Sequence, residues 1–136
     1  MSVNLLDLVR DWPESVSLAG LPLGAAAWAI GNQLKGPTVV VCPSPAAASQ
    51  MAIDIAFHLG DAAPVVILPP DDVRPYDGMS PHPEVIRQRI RATLLLHSEA
   101  PAVVVTSPQG IFHKVLSAEA LSALSLRLES GSSLIA

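Results

Sequence analysis

With 136 residues, half of them apolar and 15% charged, the chain is long enough for one folded domain and too apolar for a disordered one. Its net charge of −4 gives no global attraction to nucleic acid or an anionic membrane, so any such contact must rest on a local patch. The single Cys42 allows no internal disulfide and no metal-site spacing, which fits a reducing compartment such as the cytoplasm.

In chain order, the opening MSVNLLDLVRDWPE lacks the basic-then-apolar pattern of a signal peptide, and residues 4–11 predict a short helix that Pro13 discourages from continuing. VSLAG (16–20) predicts a first strand. Residues 22–34 predict a helix, with Pro22 tolerated in its first turn. TVVVC (38–42) is β-branched and continuously apolar, as expected of a strand buried on both faces. Ser44 then suits an N-cap for a helix over 45–59. Gln50, Asp54 and His58 form that helix's wet stripe, opposite Ala48, Met51, Ile55 and Leu59, and Gly60 is its stop. VVIL (65–68) predicts a second buried strand. A proline-rich loop leads into a helix over 83–97, and AVVVT (102–106) predicts another buried strand. Short helices follow at 108–115 and near 118–123, and SLRLES (125–130) alternates like a half-exposed strand. Continuous apolar strands alternating with helices imply an α/β domain with a doubly wound parallel sheet.

The turn from the first expected strand into its helix, Gly20 to Ala27, is where a nucleotide-binding α/β domain seats phosphates. A phosphate-binding loop, G-x-x-x-x-G-K-[ST], needs glycines so that amides close on the phosphates, a lysine to neutralise them and a hydroxyl for magnesium. Laid on this turn, Gly20 takes the first glycine, but Ala25, Ala26 and Ala27 stand at the second glycine, the lysine and the hydroxyl. Gly24 falls between them. The loop is therefore degenerate, and a plain tight turn is the expectation. Cys42, at a strand end before a helix cap, has the position of a nucleophile, but no base is near in sequence and buried cysteines are common. His58, His82, His97 and His113 have no metal-ligand spacing. His82 and Asp77 are in one loop and within reach of a bracing hydrogen bond, while the adjacent Asp71 and Asp72 suit solvated turn positions. Arg87, Arg89 and Arg91 form a basic cluster. Arg87 and Arg91 share one helical face, Arg89 points elsewhere, and Glu84 is placed to pair with Arg87 or Gln88. The cluster suits contact with DNA phosphates, a solvated face or an interdomain salt-bridge set.

The stretch RPYDGMSPHPEVIRQRI (74–90) resembles the transcription-repair coupling factor family (Mfd), in which Leu-Pro-Tyr-Asp, one or two residues, Ser-Pro-His, a gap and Ile-x-x-Arg follow one another. Pro75, Tyr76, Asp77, Ser80, Pro81, His82, Ile86 and Arg89 carry the match. The Gly20–Ala27 turn, GPTVVVCP (36–43) and VVVTSPQGIF (103–112) extend it over about residues 16–130. The resemblance implies a UvrB-like N-terminal module with a RecA-like fold that has lost ATPase function. Residues 1–124 would be that subdomain, and 125–136 the first strand of a following UvrA-binding subdomain. UvrB itself keeps an intact phosphate loop and an aromatic-rich hairpin, whereas Tyr76 is the only tyrosine here.

The expected function is a non-catalytic scaffold that supports recruitment of UvrA to stalled RNA polymerase in nucleotide excision repair. No cofactor is expected in this chain; ATP and magnesium would belong to the translocase motor of a longer parent. Its partners would be the parent's other domains, with UvrA and RNA polymerase engaged by parts this chain lacks, either DNA or another domain contacted by Arg87, Arg89 and Arg91, and no membrane. The alternatives are an independent nucleotide-binding module or enzyme using the Gly20–Gly24 turn and Cys42, and an interaction module whose apolar surface another domain covers.

Overall fold

The computed structural model describes residues 14–73 and 78–125. Helix α1 spans Leu23–Asn32, strand β1 Pro37–Val41, α2 Pro45–Leu59, β2 Val65–Leu68, α3 Pro83–Leu96, β3 Ala102–Thr106, α4 Pro108–Ile111 and α5 Ala118–Leu124. The expected helix over 4–11 lies outside the described residues, as does the expected strand over 125–130 apart from Ser125.

The three strands form one parallel sheet in the order β1-β3-β2. The chain moves two places across the sheet from β1 to β2 and one place back to β3. Parallel crossovers are right-handed, so opposite directions of travel put α2 and α3 on opposite faces. The core divides accordingly. Val103 and Val105 pack with Ala48, Met51 and Ile55 of α2 and Ala27 of α1, while Val66, Leu68 and Val104 pack with Ala92 of α3. Strand β3 is buried along its whole length because it has a strand on either side and helices above and below.

Local chemistry sets the element ends. Ser44 Oγ accepts a hydrogen bond from the Ala47 amide at 3.2 Å, and Pro45, which has no amide to satisfy, starts the helix. Gly60 closes it at φ +54°, a conformation that costs a side-chain-bearing residue about 1–2 kcal/mol. Ser117 caps α5 in the same way as Ser44 caps α2, through the Ala120 amide at 3.2 Å.

Three expectations fail. Residues 16–20 form no strand. A strand needs a neighbour's ladder, and the sheet ends at β1 and β2 among the described residues. The Gly20–Ala27 segment is therefore not a crossover out of the described sheet. Strand β1 is not buried on both faces either: Val39 and Val41 are 49% and 53% exposed. A helix is about 10 Å wide and strands are about 4.8 Å apart, so α3, seated mainly on β2 and β3, touches β1 but leaves Val39 and Val41 largely uncovered. The short helix expected over 108–115 ends at Ile111.

Candidate functional site: an arginine-braced loop at the carboxyl end of the sheet

In α/β sheets, ligands and functional loops gather beyond the carboxyl ends of the strands. Here the loops leaving β2 and β3 meet there, and Arg89 of α3 ties them together. Its Nη1 donates to the Pro69 carbonyl at 2.6 Å and to the Gly110 carbonyl at 3.3 Å, and its Nε pairs with Asp71 Oδ1 at 3.2 Å. Asp71 Oδ2 also meets His113 Nδ1 at 2.8 Å. The Arg89 side chain is only 12% exposed. One guanidinium thus joins α3, the loop after β2 and the segment around α4.

A second tie lies deeper. Thr106 Oγ1, at the end of β3, donates to the Leu68 carbonyl at 2.9 Å. Gly110 packs directly over this bond: a Cβ there would meet the Thr106 hydroxyl and, at 2.7 Å, the Leu68 carbonyl. Only glycine allows α4 to sit so close. Arg89 Nη2 and Ser107 Oγ are buried without a hydrogen-bond partner among the described residues. Leaving a buried polar group unsatisfied costs about 1–3 kcal/mol, so the cluster offsets only part of its own desolvation.

The motif segment is held from its other end by His82. This residue is the N-cap of α3, and its Nδ1 accepts from the Glu84 amide at 3.2 Å. Its own amide donates to Asp72 Oδ2 at 3.0 Å. The expected partner Asp77 lies outside the described residues, with Pro75 and Tyr76. Asp71 is therefore a half-buried brace and not a solvated turn residue, whereas Asp72 is exposed in a bend, as expected, while its carboxylate also accepts from the α3 N-cap. Of the other motif residues, Pro81 is half-buried, Ser80 is exposed and Ile86 is 42% exposed.

The arginine cluster separates by helical phase. Arg89 faces in. Arg87 faces out, pairing with Glu84 through its Nε and Nη2 at 2.9 Å each, and Gln88 donates to the same carboxylate at 2.9 Å. Both pairings expected of Glu84 are present. Those bonds hold the Glu84 carboxyl below its ordinary pKa, Arg87 contributing most, and raise that of Arg87 through the Glu84 hydrogen bond first. Arg91 is exposed on the same side as Arg87.

At the degenerate phosphate loop, Gly20 has φ +74°, but Pro22 is the N-cap and α1 already includes Gly24, Ala25, Ala26 and Ala27. The Ala26 amide is committed to the Pro22 carbonyl at 3.0 Å, and Ala27 is fully buried. The hollow beside the turn is lined by Leu18, Gly20, Leu21, Ala26, Ala29 and Ile30, none of which can neutralise a phosphate. Cys42 is buried, and desolvation pushes its thiol pKa up, opposing the thiolate a nucleophile needs. Among the described residues no three His, Cys, Asp or Glu side chains converge on a metal position, and no helix is long and apolar enough to cross a membrane.

Sequence reasoning missed Asp71, Gly110 and His113 as members of the site. Asp71 and His113 are 42 residues apart and meet only because β2 and β3 are neighbours. A glycine three residues beyond the Thr106–Ser107 strand end was the one local sign of a close approach.

Fold and site together define a three-layer α/β domain whose carboxyl-end loops are braced rather than open. No family model matches the chain, and no solved structure matches it. Among curated proteins, the chain is similar to the transcription-repair-coupling factor of Myxococcus xanthus, with 32% identity over 121 residues. The match covers 84% of this chain and 10% of that protein, so the chain corresponds to a small part of a much longer polypeptide. This similarity supports a relation to the coupling factors.

Proposed function

We propose that this chain is a non-catalytic scaffold of the coupling-factor type, a degenerate RecA-like, UvrB-like unit that holds a rigid proline-rich loop in place for neighbouring domains. The observation that carries this reading is the burial of Arg89. Arg89, the motif residue with a permanent positive charge, has that charge taken up by Asp71 and two backbone carbonyls, inside the fold. A residue held in this way positions a loop and has little freedom to meet a substrate. The alanines at the degenerate phosphate loop and the buried Cys42 thiol support the same conclusion.

In this reading, UvrA recruitment, RNA polymerase contact and ATP-driven translocation with magnesium belong to other parts of a longer cytoplasmic protein, and the subdomain boundary falls near residue 125. Prolines on both sides of the motif pre-set φ and lower the entropy lost when the loop is ordered. Isothermal titration of the chain with Mg-ATP is the test. No heat of binding is expected up to millimolar nucleotide; saturation at micromolar nucleotide would overturn the scaffold reading and favour the nucleotide-binding alternative.

A further inference from the structure

Among the described residues strand β2 is an edge, open at Val65 and Ile67. In a parallel ladder, the amide and carbonyl of one residue face one neighbour and those of the next residue face the other. The Pro64 carbonyl accepts from the Val103 amide at 2.9 Å, so the backbone groups of Val66 and Leu68 turn towards β3, and those of Val65 and Ile67 turn away. No hydrogen bond to these outward groups occurs among the described residues. Exposed edges are normally blunted by charge, proline or a bulge. VVIL contains none of these, and the strand is short and bounded by Pro64 and Pro69, so the open edge is confined to the backbone of Val65 and Ile67.

The same edge forms the floor of a groove of about 400 Å³. One wall is α2, with Ser49, Ala52, Ile53 and Ala56; Ile53 is 63% exposed. The other is α3, with Glu84, Arg87, Gln88 and Arg91. One wall is thus largely apolar, and the other carries two arginines against one glutamate. A strand added to β2 would point alternate side chains at the two walls.

We propose that the groove between α2 and α3 binds an extended segment of a partner polypeptide in which acidic and apolar residues alternate, as an added strand on β2. The backbone of Val65 and Ile67 supplies the main-chain bonds, Arg91, with no carboxylate partner among the described residues, selects the acidic side chains first and Arg87 shares itself between Glu84 and the partner, and Ile53 and Ala56 receive the apolar ones. A second copy of the chain does not suit the groove, because pairing β2 with β2 brings two sets of Arg87 and Arg91 together. The inference rests on the edge and the two walls and is independent of the scaffold reading.

The test uses the ¹⁵N-labelled 136-residue chain, titrated with a blocked octapeptide of alternating glutamate and valine and with its lysine–valine counterpart. The glutamate peptide is expected to bind saturably, to slow amide exchange at Val65 and Ile67 and to leave Val66 and Leu68 unchanged. The double variant R87E/R91E, altered only at exposed positions, is expected to bind it about tenfold more weakly, through loss of two surface charge pairs and gain of repulsion. Equal binding of the two peptides, absence of saturation, protection of the same amides by self-association, or stronger shifts with a single-stranded oligonucleotide would each overturn the proposal.

Discussion

Arg89 and Arg87 are two positions apart on one helix and have opposite roles. Arg89 holds three segments together from a largely buried position, whereas the Arg87–Glu84 pair lies in solvent, where water and salt screen such pairs and they contribute little. Replacing Arg89 with alanine leaves the Asp71 carboxylate with His113 alone and frees two carbonyls, so a loss of about 2 kcal/mol is expected. Arg87→Ala should leave the unfolding midpoint close to that of the unsubstituted chain. Urea denaturation of the two variants side by side checks the contrast, and equal midpoints would refute the brace. Alternation of the arginines was legible in the sequence, since a 100° step sends Arg89 away from its neighbours. Its partners were not, because Asp71 and Gly110 reach it through the sheet and not along the helix.

The helices show how much an element can declare locally. Helix α2 runs from the residue after Ser44 to the residue before Gly60, as the cap, the apolar spacing and the stop signal predicted. Helix α3 starts at Pro83 behind His82, a cap that propensity alone would not choose; it works because the ring nitrogen accepts from the Glu84 amide. Its first turn also carries a titratable stabiliser. The Glu84 carboxyl has a lowered pKa in the folded chain, so its contribution is fully present above the ordinary value of 4.5 and is lost as pH falls through the folded value. Glu84→Gln should therefore flatten the acid limb of stability between about pH 5 and 3, read by thermal melts across that window. An unchanged acid limb would mean that Glu84 is equally free in the unfolded chain. The segment VSLAG shows the opposite case. It has strand-like composition but no ladder, because composition cannot supply a neighbour.

At the scale of the whole molecule, the buried face against α2 includes Cys42, whose backbone amide donates to the Thr106 carbonyl at 2.8 Å and so extends the β1–β3 ladder. Its thiol is reachable only when that face opens. Alkylation by iodoacetamide at neutral pH should follow the global unfolding rate, and rise in step with it in dilute urea. Fast labelling without unfolding would show that α1 detaches locally. Burial also raises the thiol pKa, so the associated stability is present below the ordinary value of 9.0 and is lost as pH climbs through the folded value.

The sequence by itself determined the helices α2 and α3, the three apolar strands and the parallel α/β class, because caps, stops and apolar period act over one to four neighbouring residues. It also separated Arg89 from Arg87 and Arg91 by angle alone. Tertiary structure decided the strand order, the open faces of β1, the uncovered edge of β2 and the joining of Asp71, Arg89, Gly110 and His113. Those features depend on which strand lies beside which and on how far one helix can reach across a sheet, and neither is encoded at short range along the chain.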